Sequence, residues 1–228
     1  MKHLNTFNES MESSSIVIGR SSFKDSRDGR EYQTVILDNG GEKIEWFAEN
    51  LDYDDTEDFG GKSALDIFFT SNDLPSIKGD LDRNVCGRYY RFNSLDNACP
   101  EGWEIPKRSE FIDLFQRITG NPPNIWREGE RRKIYRSFCG IGSILELHEC
   151  GGYEKPANYW YGTSSFAGHK PNPTDFEYLG NGKGRYWSST PGALSNGGSI
   201  FIFDSEKKEY NEDVGYGYYA VRPIRKNI

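Results

Sequence analysis

Three runs near the C-terminus decide how this chain reads: Tyr186-Trp187-Ser188-Ser189-Thr190, Ser199-Ile200-Phe201-Ile202-Phe203-Asp204, and Tyr216-Gly217-Tyr218-Tyr219-Ala220-Val221-Arg222-Pro223. Each is short and rich in aromatic or β-branched residues. Each is bounded by turn formers, with a Gly/Ser/Asn-rich gap between the first two. That pattern predicts short strands of a compact sheet. The runs contain neither a phosphate-binding loop nor a metal-ligating cluster. They read as a scaffold that holds up loops, and binding through loops is the expected role.

Working outward, the N-terminal half repeats this punctuation. Ile16-Val17-Ile18 and Ser22-Phe23-Lys24-Asp25 lead into Asp28-Gly29-Arg30, and Glu31-Tyr32-Gln33-Thr34-Val35-Ile36-Leu37 follows. Asp-Gly between strand-like runs is a strong hairpin signal. Asp38-Asn39-Gly40-Gly41 is a second turn, after which Lys43 to Leu51 carries Ile44, Trp46 and Phe47. Gly87-Arg88-Tyr89-Tyr90-Arg91-Phe92 is read as a strand, and Cys99-Pro100-Glu101-Gly102-Trp103-Glu104-Ile105-Pro106 as a rigid turn.

One helix stands out, Glu110 to Ile118. Ser109 is its expected cap. Phe111, Ile112, Leu114, Phe115 and Ile118 form its apolar stripe, and Gly120-Asn121-Pro122-Pro123 ends it. Arg131 to Phe138 is a further helical candidate, and Ile144-Leu145-Glu146-Leu147 a strand candidate. Residues 52–84 and 151–185 read as irregular loops.

The chain has 228 residues, enough for one sizeable core. Hydrophobic residues make up 35% and aromatics 14%, so rings carry much of the burying capacity. The net charge of −7 disfavours nucleic acid as a partner. The cations Arg127, Arg131, Arg132, Lys133 and Arg136 are interrupted by Glu128 and Glu130, which suits a solvated charged segment. No apolar run approaches the roughly 20 residues of a membrane span. Residues 1–15 are polar, with Leu4, Phe7 and Met11 spaced for one face of a short helix. They form either a frayed tail or an anchor for a partner. No secretory signal is recognisable, so virion or producing-cell cytoplasm is the expected location, ahead of the cell surface. The cysteines Cys86, Cys99, Cys139 and Cys150 contain no Cys-x-x-Cys pair. Two disulfides and buried free thiols both remain open.

Four segments in order carry a resemblance. They are Asp28-Gly29-Arg30-Glu31-Tyr32-Gln33-Thr34-Val35 running on to Trp46-Phe47-Ala48-Glu49-Asn50-Leu51; Gly87-Arg88-Tyr89-Tyr90; the turn Cys99 to Pro106 with Glu110-Phe111; and Gly184-Arg185-Tyr186-Trp187-Ser188-Ser189-Thr190 with Tyr218-Tyr219-Ala220-Val221-Arg222-Pro223. Together they resemble the Fibrobacter succinogenes major paralogous domain, over roughly residues 20 to 226. That family is similar in fold to C-type lectins and to the formylglycine-generating-enzyme group. The resemblance implies an α+β, C-type-lectin-like fold, with short antiparallel strands, one clear helix and long irregular loops. A single domain is expected over residues 16–228, behind the tail 1–15. The family is mostly found on bacterial cell surfaces, and the same fold carries receptor-binding loops in phage proteins.

The chemistry of the related groups finds poor counterparts here. Calcium-dependent sugar binding needs charged oxygen ligands. The nearest segments are Lys170-Pro171-Asn172 and Trp187-Ser188-Ser189, with lysine and serines in the ligand places. A formylglycine-generating oxidase needs a cysteine pair near the C-terminal core, whereas the last cysteine is Cys150. His148-Glu149-Cys150 points alternately across a strand and converges poorly on a metal. No nucleophile elbow is present. Neither a catalytic residue, nor a metal site, nor a cofactor is therefore expected.

Recognition surfaces favour Tyr, Trp, Asn, Ser and Gly, because rigid rings give area at low entropic cost. The candidate ligand-binding residues are Asn158, Tyr159, Trp160 and Tyr161; Ser195 and Asn196; and Tyr210, Asn211, Glu212 and Asp213, with Tyr216 and Tyr218 nearby. Trp160 and Tyr161 suit stacking on a sugar face or plugging the core beneath their loop. Trp103 and Trp187 read as core. The expected partner is a glycan or protein receptor of a phage-associated or cell-surface protein. The alternative is a structural virion decoration that docks its N-terminal tail on capsid or tail proteins, and an oxidase is the least expected.

Overall fold

The computed structural model describes residues 16–53, 87–139, 143–147, 183–192, 197–215, 217–226 and 228. These form a mixed α+β architecture with antiparallel sheets and three α-helices.

The Asp-Gly signal makes a hairpin. Strand β1 (Val17–Lys24) pairs antiparallel with β2 (Glu31–Asp38), and Gly29 takes the left-handed φ of 79° that the turn requires. After the second glycine turn, β3 (Lys43–Phe47) pairs with β2. The outer partner of β3 is the last strand, β9 (Ile224–Lys226), so this sheet has the order β1-β2-β3-β9. The first hairpin and the C-terminal strand are thus joined in one sheet. A second sheet of consecutive strands contains β5 (Lys183–Pro191), β6 (Gly198–Asp204) and β7 (Glu209–Gly215). A two-stranded ribbon joins β4 (Tyr90–Arg91) to β8 (Tyr218–Tyr219).

The helices are α1 (Leu95–Ala98), α2 (Arg108–Thr119) and α3 (Glu128–Phe138). The predicted stripe of α2 is buried throughout, and Gly120 ends the helix at φ 74°. Phe111 on α2 meets Trp46 of β3 edge-on at 5.1 Å and Phe201 of β6 at 4.3 Å. That one helix therefore packs between the two larger sheets. A second aromatic cluster lies elsewhere, with Phe47 against Trp103 at 4.5 Å and Trp187 against Tyr219 at 4.7 Å. Strands β2 and β3 contribute to both clusters: β3 is buried continuously from Ile44 to Phe47, while β2 buries Tyr32, Thr34, Val35 and Leu37.

Several expectations change. The helix starts at Arg108, so Ser109 lies inside its first turn rather than capping it. The orphan N–H groups find other acceptors: Arg108 N–H donates to the Thr190 hydroxyl at 2.9 Å, and Lys107 N–H donates to the Glu110 carboxylate. Only two residues of 87–92 form a strand, because Phe92–Ser94 tightens into a 3-10 turn. Likewise, of the described residues 217–223, only Tyr218–Tyr219 pairs as a strand. Residues 144–147 are not a strand; Leu147 makes a single bridge to Cys139, and Glu146 sits at φ 47°.

Gly87 makes the tightest backbone approach. At φ 63°, its position would hold a Cβ 2.6 Å from the Leu51 carbonyl oxygen. Gly87→Ala combines left-handed strain with a backbone clash and is expected to cost about 2–4 kcal/mol. A melting curve should fall by roughly 4–16 °C. An unchanged midpoint would contradict this packing.

Candidate functional site

The described part of the predicted binding set is the segment from Tyr210 to Asp213. It is strand β7, not a recognition loop. Tyr210 is 3% exposed and packs against Phe115 at 4.8 Å, as a core ring rather than a ligand platform. Its hydroxyl donates to Glu212 Oε1 at 2.9 Å, and burial pushes its pKa well above the usual tyrosine range. The strand escaped detection because Tyr210 is its only aromatic residue and Val214 its only β-branched one. Three of its polar residues, Glu209, Asn211 and Glu212, meet side chains of the neighbouring helices.

Those partners are arginines. Arg108, in the first turn of α2, pairs with the Glu212 carboxylate through Nε. Arg131 on α3 donates to Asn211 Oδ1, and Arg132 pairs with Glu128 and lies 3.7 Å from Glu209. The basic segment that looked like a solvated charged segment is therefore partly the clamp of an edge strand. Asp213 is exposed and accepts the Val214 backbone N–H at 2.8 Å. It is the residue of the four with the freest approach from solvent. Tyr218 is buried beneath Arg91, whose guanidinium lies 4.6 Å from the ring centre.

Asn158, Tyr159, Trp160, Tyr161, Ser195, Asn196 and Tyr216 lie outside the described residues. So do Cys86, Cys150 and the His148-Glu149-Cys150 trio. The ends of the loop carrying Ser195 and Asn196 are fixed, since Gly192 N–H donates to Gly197 O at 2.9 Å. Trp187 and Trp103 are buried as the sequence implied, and Trp187 Nε1 donates to Tyr90 O at 2.7 Å. Ser188 is also buried, its hydroxyl accepting the Thr190 N–H at 3.0 Å.

A polar network at the base of the first hairpin went unread in the sequence. Asp52 is buried, ion-paired with Arg30 and 3.4 Å from Arg88 Nε, and its N–H donates to the Tyr32 hydroxyl at 3.1 Å. Tyr53 and Tyr90 exchange hydrogen bonds of 2.8 and 3.0 Å. Burial holds the hydroxyls of Tyr32 and Tyr90 protonated far above neutral pH. Arg27 lies over the Tyr53 ring at 3.6 Å, pairs with Asp25, and donates to the carbonyls of Asn97, Ala98 and Cys99. Opposite charges meet inside this network and its phenols are neutral, so its chemistry is that of a structural lock. The Cys99 thiol is likewise pushed up by burial, which keeps it protonated and unreactive at neutral pH.

Among the described residues, no group of three His, Cys, Asp or Glu side chains is placed to hold a metal ion, and no helix is long and apolar enough to cross a membrane. No protein-family model, curated protein or solved structure matches the chain.

Proposed function

We propose that this chain is a non-catalytic recognition module of C-type-lectin-like fold, related to the Fibrobacter succinogenes major paralogous domain. It binds a glycan or protein receptor on behalf of a phage-associated or cell-surface protein. The observation that carries this reading is the pairing of β9 with β3, which returns the C-terminus to the N-terminal hairpin beside a helix packed between two sheets. That frame is closely packed where the sequence is aromatic. Two candidate binding segments fall in sequence between its fixed points: Asn158 to Gly162, rich in Tyr and Trp, between Leu147 and Lys183, and residues 193–196, with Ser195 and Asn196, between Gly192 and Gly197. Rigid support for adaptable polar and aromatic segments is the arrangement recognition requires.

The test is binding of the full chain to a glycan array and to intact bacterial cells. Replacing Trp160 and Tyr161 together by alanine should abolish binding while moving the melting temperature by no more than about 2 °C, as expected for surface positions. Binding at the parent level would remove these residues from the site. A fall of more than roughly 8 °C would make them core residues instead.

A further inference from the structure

Arg185, in β5, breaks a rule that the other buried arginines keep. Only 6% of its surface is exposed. Among the described residues, neither Nε nor Nη1 of its guanidinium has a hydrogen-bond partner, and it forms no ion pair. Arg222, fully buried, donates to four oxygen acceptors. Arg88 has the Asp52 carboxylate at 3.4 Å. The indole N–H groups of Trp46 and Trp103 also lack partners, but they are neutral, so leaving them dry costs far less. A desolvated guanidinium without a counter-charge is a heavy penalty on the scale of a domain's net stability. Groups of this kind call for an ion or a function.

The strand register shows what surrounds it. Alternate residues of a strand share a face, so Lys183, Arg185 and Trp187 form one row. Across the ladder, Lys183 lies opposite Asp204 and Arg185 opposite Ile202. Asp204 is committed elsewhere: it accepts the Lys207 N–H at 3.0 Å and has the Lys183 ammonium at 3.9 Å. The residue across from Arg185 is therefore apolar. The Lys183 side chain, 37% exposed, brings a second, loosely held cation toward solvent on the same row. A planar guanidinium fork matches the oxygens of a carboxylate, sulfate or phosphate.

We propose that Arg185 anchors an oxyanion-binding subsite, with Lys183 at its solvent side, and that a carboxylate, sulfate or phosphate group completes the guanidinium's hydrogen bonds. This goes beyond the recognition role, because it concerns the frame rather than the loops and stands if the loop variants bind normally.

The test compares the full chain with Arg185→Met and Lys183→Ala by melting curves and titration calorimetry. The probes are sodium acetate, sodium sulfate and sodium phosphate, each against sodium chloride at matched ionic strength. Sulfate and phosphate stabilise most proteins by exclusion from their surfaces, so the difference between parent and variant is what counts. In chloride alone, Arg185→Met should melt at the parent temperature or above it, since an uncompensated charge has been removed. At least one probe should bind the parent chain, with affinity reduced at least tenfold in Arg185→Met and severalfold in Lys183→Ala. The probe that binds distinguishes a carboxylate site from a sulfate or phosphate site. A lower melting temperature or misfolding of Arg185→Met in chloride would overturn the proposal, because the protein itself would then be satisfying the arginine. Equal responses of parent and variants to all three anions would overturn it as well.

Discussion

Arg222→Met is expected to lower stability by about 3–5 kcal/mol, because it strips a fully buried cation away from its four oxygen acceptors. Arg222 Nε donates to Asn50 Oδ1 at 2.6 Å, Nη1 to the carbonyls of Phe47 at 3.3 Å and Leu145 at 2.8 Å, and Nη2 to the Glu146 carbonyl at 3.1 Å. Its guanidinium also lies 5.9 Å from the Tyr186 ring centre. One side chain thus ties the end of β3 and the 143–147 segment to the C-terminal run. Methionine keeps most of the aliphatic volume but supplies no donor, so four oxygens lose their partner in a dry environment. The melting temperature should fall by roughly 6–20 °C. Arg222→Lys should recover little of this, since a single ammonium cannot reproduce a planar fork aimed at several oxygens. A melting temperature within about 2 °C of the parent for Arg222→Met would mean that water or another group replaces the guanidinium without loss.

The second large effect is expected at Phe115. Its ring is fully buried on α2, 4.8 Å from Tyr210, 5.2 Å from Phe138, 5.6 Å from Phe201 and 6.2 Å from Phe203 and Trp126. These neighbours come from β6, β7, α3 and the turn before α3, so no single element can move to fill a vacancy. Phe115→Ala should cost about 3–5 kcal/mol, near the upper end of that range for lack of relaxation. Phe115→Leu keeps most of the volume and should cost less than about 1.5 kcal/mol. Denaturant titration distinguishes them, with a shifted midpoint and an unchanged slope expected for both. Equal midpoints for the two variants would show that the cluster is loose enough to repack around either side chain.

These effects separate what could be read locally from what could not. The hairpin at Asp28-Gly29, the glycine turn before β3, the stripe and stop of α2, and the burial of Trp103 and Trp187 were all legible. Each depends on the order of neighbours along a few residues, where apolar periodicity and glycine conformation act. Strand β7 was not legible, because its chemistry resembles a binding loop until Arg108, Arg131 and Arg132 are placed beside it. The candidate site was read least well. Tyr210 looked like a displayed ring and is a core ring, while the Asp52 network and Arg185 gave no sign in the sequence that one would meet opposite charge and the other not.

What the sequence alone determined is the set of local elements and their apolar faces. Which polar groups are satisfied was decided only by the tertiary structure. The acceptor that completes the start of α2 lies 82 residues away in Thr190, and the Asn50 acceptor of Arg222 lies 172 residues away. Periodicity reaches one or two turns, whereas hydrogen-bond satisfaction depends on which distant groups the fold brings within about 3 Å.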